Sequence, residues 1–202
     1  GIKEERGAKK KDFEKILCVV PYYKNPAKKG MFEHFSGVGK SVDLQIFLYN
    51  IPGRTGVNML PETVAALAEK YQNIVAIKQS CGDMDMITEM KLCCPEDFSV
   101  YSGDDSLTLP MMSLGARGVI SVASHIFGKE VKSMIRNYKS GEFLAAVNMH
   151  KKLYPAFRKL FMAPNPVPVK AALAHNGIIE DFVRRPLVEL TQIEKKDLFM
   201  VL

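Results

Sequence analysis

The apolar run Asn73-Ile74-Val75-Ala76-Ile77 ends on a lysine, Lys78. A short β-branched run bounded by polar residues reads as a buried strand, and in parallel α/β proteins chemistry sits at the carboxyl ends of strands. A lysine there has its stem in an apolar wall and its amine facing a cleft. Burial disfavours the ammonium, so neutral amine becomes available to attack a carbonyl carbon. One strand earlier, Phe47-Leu48-Tyr49-Asn50-Ile51-Pro52-Gly53-Arg54-Thr55-Gly56 places Tyr49 and Arg54 at the equivalent level. A guanidinium forks onto a carboxylate, and a phenol can give and take a proton. Nucleophile, proton carrier and anion anchor then face one pocket, the set that Schiff-base chemistry on a keto acid requires.

Positioning these groups takes an alternation of strands and helices. Ile16–Val20, Leu44–Tyr49, Ile74–Lys78, Phe98–Ser102 and Gly118–Val122 read as five strands. Helical spacing falls between them: Met31 to Lys40, a helix opened by Pro61, one around Met86–Leu92, and one running to Leu114. Parallel neighbours need crossover helices, so this order predicts an α/β fold with a parallel sheet. Beyond Val122 the strand pattern stops. Segments near Glu130–Tyr138, Glu142–Phe161 and Val167–His175 read as a helical appendage.

The chain has 202 residues, 47% of them hydrophobic and 25% charged, as expected of one substantial globular core. Its net charge of +6 is spread along the chain apart from Lys9-Lys10-Lys11, with no basic stripe and interleaved aromatics, so nucleic acid is not an expected partner. Neither a membrane-length apolar run nor a signal-peptide core is present, and no histidine spacing suits a metal. Four cysteines without a CxxC pair read as free thiols of a reducing cytoplasm.

Three further segments stay open on their residues alone. Tyr22-Tyr23 follows Pro21 at a strand end and suits either packing or a site. In Gly103-Asp104-Asp105 the aspartates can cap a helix, while the glycine permits close backbone approach. Pro164-Asn165-Pro166-Val167-Pro168 reads as a rigid link that opens a helix.

Six segments taken together, VVPYYKNP (19–26), LYNIPGRTG (48–56), IVAIKQSCGD (74–83), YSGDD (101–105), GARGVISVAS (115–124) and LFMAPNPVPVKAAL (160–173), resemble the dihydrodipicolinate synthase family of pyruvate-dependent aldolases. The resemblance covers roughly residues 16–176. It implies a (β/α)8 TIM barrel with a helical tail, here a partial barrel of about five βα units over residues 16–128, a helical region over 129–202, and an atypical charged segment over 1–15. It implies that Lys78 forms the imine with pyruvate and that Tyr49 is the acid/base shuttle. Tyr23 would extend the proton relay into a neighbouring subunit's site. Arg54 would hold the carboxylate of aspartate semialdehyde, Gly103 and the main chain of Ile120 would line the pyruvate pocket, and Tyr22 would contribute to a lysine-inhibition site. The implied product is 4-hydroxy-tetrahydrodipicolinate, on the lysine and diaminopimelate route, with no metal or organic cofactor and with a homotetramer of tight dimers in the cytoplasm.

The family's first strands, with the glycine- and threonine-bearing loops that grip pyruvate's carboxylate, have no counterpart in this chain. Five parallel strands in an arc expose two edges and a lumen, which predicts low stability or dependence on association. Two other readings follow: a non-catalytic relative acting as an interaction subunit, and an aldolase for sialic acid or another keto-deoxy-sugar acid.

Overall fold

In the computed structural model of the protein, residues 13–22 and 26–202 are described. They form two compact units, one ending at Ile120 and the other beginning at Ser121.

The first unit is a five-stranded parallel sheet: β1 (Lys15–Val19), β2 (Gln45–Asn50), β3 (Ile74–Gln79), β4 (Ser99–Ser102) and β5 (Gly118–Val119). The strands lie in the order β1-β2-β3-β4-β5, each beside its sequence neighbour. A doubly wound sheet reverses direction at a switch point, and none occurs among the described strands. The order is that of a barrel arc, whose crossovers all turn the same way. Between the strands run α1 (Lys28–Ser41), the single turn α2 (Pro52–Thr55), α3 (Pro61–Lys70), α4 (Met84–Cys93), a 3-10 turn (Asp105–Leu107) and α5 (Thr108–Ser113).

Local sequence explains these limits. Pro61 at the first turn of α3 lacks the N–H that a helix start would leave unpaired. The Asp83 carboxylate accepts the Met86 N–H and starts α4 earlier than Met86. Gly56, at φ 68°, ends α2 by donating its N–H to the Pro52 carbonyl; a left-handed conformation there favours glycine. The fifth strand is shorter than the apolar run Gly118–Val122 predicts. Only Gly118 and Val119 pair with β4, because the chain turns at Ser121 into the next helix.

The period of two divides the sheet into two faces. Ile46, Leu48, Ile77 and Val100 point to the helix side and are wholly buried against Phe35, Val38, Leu67, Ile87, Met90 and Met111. Fully burying each such side chain stabilises the fold by roughly 1.5–3 kcal/mol. On the other face Leu17 and Val19 are exposed, and Phe47, Tyr49, Lys78 and Tyr101 are partly exposed. This is the face on which an amine can meet a ligand.

The second unit is helical: α6 (Ser124–Lys139), α7 (Phe143–Lys159), α8 (Val167–His175) and α9 (Gln192–Phe199). The first begins six residues before the expected Glu130 and ends one after Tyr138, the second falls inside the expected Glu142–Phe161, and the third has the expected bounds. The sequence reading missed α9, although its signal is local. Thr191 accepts the Glu194 N–H while the Glu194 carboxylate accepts the Thr191 N–H, a capping box.

Candidate active site

Strand register builds the site. Tyr49 of β2 pairs with Lys78 of β3, and Lys78 pairs with Tyr101 of β4, so one row of side chains crosses the open face near the carboxyl ends of three strands. Lys78 Nζ lies 4.1 Å from the centroid of the Tyr49 ring. At that distance the negative face of the ring attracts an ammonium. Tyr101 stacks on Phe47 with centroids 5.7 Å apart and closes the other side of the row. Sequence reasoning did not single out Tyr101; the signal was its place at the end of the fourth predicted strand.

Behind this row, polar side chains at the same strand ends point into the helix layer. Asn50 is fully buried, accepts the Met59 N–H at 3.1 Å and donates to Asn58 Oδ1 at 2.7 Å. Those bonds bind both ends of the loop carrying Arg54. Thr55 Oγ1 donates within the same loop, with the Ile51 carbonyl at 2.9 Å and the Val57 carbonyl at 3.0 Å. The turn expected at Pro52-Gly53 is thus a braced helical turn that carries Arg54, which is exposed. Ser102, also buried, donates to the Asp104 carbonyl at 2.7 Å. Asp104 accepts from Ser106 N and Oγ, so this carboxylate is a cap of the 3-10 turn.

Gly103 stands one step beyond β4, and its N–H donates to the Gln79 carbonyl. A Cβ at Gly103 would lie 1.9 Å from Ser80 Oγ, 2.9 Å from Lys78 Cε and 3.1 Å from Lys78 Cγ. The absent side chain therefore makes room for the stem of the lysine. The Ile120 N–H donates to the Ser102 carbonyl at 2.9 Å, which ties the main chain of Ile120 to the end of β4 although Ile120 lies past β5. Tyr22 is 65% exposed beyond β1. Tyr23 lies outside the described residues. The structure thus groups Lys78, Tyr49 and Gly103, exposes Arg54 on the turn that follows β2, and leaves Tyr22 on the surface.

A cleft of about 400 Å³ lined by Ala68, Gln72, Ile74 and Phe98 opens at the amino ends of β3 and β4, the opposite end of the strands from Lys78. Among the described residues, no cluster of three or more His, Cys, Asp or Glu could hold a metal ion. No described helix is long and apolar enough to cross a membrane.

A singly wound parallel sheet with a lysine at the carboxyl end of its third strand defines an arc of a (β/α)8 barrel. A sequence profile described as "Dihydrodipicolinate synthetase family" matches residues 2–202, and the chain belongs to that family. It is 50% identical to the 4-hydroxy-tetrahydrodipicolinate synthase of Desulforamulus reducens over 189 residues, 91% of this chain and 64% of that protein. The crystal structure of dihydrodipicolinate synthase from Aquifex aeolicus superposes with a TM-score of 0.97 at 44% identity, covering 99% of this chain and 68% of that one. The pyruvate complex of the chloride-inhibited enzyme from Acinetobacter baumannii gives 0.94 at 34% identity, covering 99% and 68%. The chain spans roughly two thirds of the length of these relatives.

Proposed function

We propose that this chain carries the imine-forming core of a lyase that condenses pyruvate with L-aspartate 4-semialdehyde to 4-hydroxy-tetrahydrodipicolinate. The observation that carries the reading is the Lys78 amine, 4.1 Å above the Tyr49 ring at the carboxyl ends of adjacent parallel strands. In this reading the neutral amine attacks C2 of pyruvate, a carbinolamine forms, and water leaves to give the imine. The Tyr49 phenol, beside that nitrogen, carries the proton to the departing hydroxyl and later takes one from C3. The resulting enamine attacks the aldehyde carbon of the second substrate. That substrate's own amine then closes the ring and displaces Lys78.

Arg54, exposed on the braced turn, receives the carboxylate of the second substrate. Gly103 and the Ile120 main chain bound the first substrate's seat, Tyr23 extends the proton path, and Tyr22 belongs to an inhibitor-binding surface. Association of several copies is part of the reading. It is supported by Phe143, Leu144, Val147 and Tyr154, exposed at helical spacing along α7. No disulfide joins any of the four cysteines, which supports a reducing compartment such as the cytoplasm.

Borohydride trapping with millimolar pyruvate, followed by peptide mass spectrometry, tests the core of the proposal. The adduct is expected on Lys78 and is lost in Lys78→Ala. Absence of any adduct refutes imine chemistry by this chain and favours an interaction subunit. Arg54→Ala is expected to weaken use of aspartate semialdehyde by about 10²-fold or more while leaving pyruvate trapping within a few-fold. Equal losses on both refute its assignment and point to a different aldehyde.

A further inference from the structure

One hydroxyl at the site has no role in the scheme above. Ser80 lies two residues past Lys78, so both side chains project from the same face of the β3 line. Its N–H donates to the Asn50 carbonyl at 2.9 Å, which fixes the backbone. Its Oγ is buried and has no hydrogen-bond partner. A buried hydroxyl without a partner is costly, so its persistence calls for a reason. That oxygen fills the gap left by the missing side chain of Gly103, and Lys78 Cγ and Cε crowd the same gap.

The amine therefore has two possible seats. The face of the Tyr49 ring, on the open side of the sheet, suits an ammonium through its quadrupole. The recess at Ser80 excludes water, which penalises a charged nitrogen far more than a neutral one. A neutral amine donating one N–H to Ser80 Oγ would satisfy the orphan hydroxyl and leave its lone pair directed away from the serine. We infer that Ser80 is a positioning residue for Lys78: its hydroxyl accepts a hydrogen bond from the uncharged amine and holds the nitrogen over Gly103 for attack on the keto carbon.

The inference rests on Lys78 being the imine-forming amine, and the two fail separately. The titratable groups on the elements flanking Lys78 are Tyr49 and Arg54 on and after β2, Cys81 and Asp83 after β3, and Tyr101, Asp104 and Asp105 on and after β4. Of these, Asp83 and Asp104 are engaged as caps.

Competitive acetylation of the full chain across a pH series, read on the Lys78 peptide, follows the amine without any keto acid. In Ser80→Ala the labelling midpoint is expected to rise by roughly half a pH unit or more, because the uncharged form loses its partner. In Tyr49→Leu it is expected to fall, because the charged form loses the ring. A Ser80→Ala midpoint that stays or falls overturns the inference, and so does a rise shared by both variants, which would report a general change of surroundings. Ser80→Ala should also slow pyruvate trapping by roughly three- to ten-fold near neutral pH. Absence of trapping in the parent chain overturns the imine reading, while the labelling midpoints still decide the seat.

Discussion

Replacing Gly103 by alanine adds one methyl group at the most crowded point of the site. Gly103 lies outside the left-handed region of φ, so the substitution acts by volume and not through backbone strain. The new Cβ meets Ser80 Oγ at 1.9 Å, which forces that side chain into another rotamer. It also meets Lys78 Cε at 2.9 Å, against an ordinary contact of at least 3.4 Å, so the stem must withdraw by about 0.5 Å. Overpacking of this kind costs about 1–3 kcal/mol of stability. Displacing a nucleophile by a fraction of an ångström to one ångström costs up to about 10²-fold in rate. Gly103→Ala is therefore expected to keep the far-ultraviolet dichroism of the parent, to unfold at lower denaturant, and to trap pyruvate on Lys78 about 10- to 100-fold more slowly. The double variant Ser80→Ala/Gly103→Ala relieves the shortest contact but not the one on the lysine. It should regain stability without regaining trapping. Trapping by Gly103→Ala within about three-fold of the parent chain would refute the claim that this gap sets the position of the amine.

Two further outcomes follow from the thiols and from His150. Burial is the main cause that pushes the Cys94 thiol up to about 12, with neighbouring Cys93 adding to it. Iodoacetamide at about pH 8 should alkylate exposed Cys93 well before Cys94, with Cys18 protected in the core until unfolding; mass spectrometry of the timed digest showing Cys94 first would contradict this. Burial holds the His150 imidazole below its ordinary value of 6.5, so the folded state favours the neutral ring. Its contribution to stability is present above about pH 6.5 and lost as pH falls. The denaturant midpoint should drop between about pH 7.5 and about pH 5.5, and His150→Gln should flatten part of that drop. An unchanged slope in the variant would refute the assignment.

Much of the arrangement was legible along the chain because its signals are local. Short apolar or alternating runs marked all five strands, and helical spacing or a proline at the first turn marked most of the helices. Their alternation implied parallel pairing, and Lys78, Tyr49 and Arg54 stood out because reactive residue types fell at strand ends. Where local signals were mixed, the reading erred. Gly118–Val122 looked like a full strand, but apolarity alone does not determine how many residues find a partner, and pairing with β4 stops at Val119.

What only the tertiary structure decided were relations across strands. Register alone brings Tyr49, Lys78 and Tyr101 into one row. Nothing in the text of YSGDD says that the missing side chain of Gly103 leaves space for the stem of Lys78 and the hydroxyl of Ser80. Nor does LYNIPGRTG reveal that Asn50 turns inward to clamp the loop that carries Arg54. Residue type and spacing follow from covalent order, and so a chain can advertise its chemistry. Distances between groups on different strands follow from sheet register and core packing, which arise only once the apolar side chains have left water together.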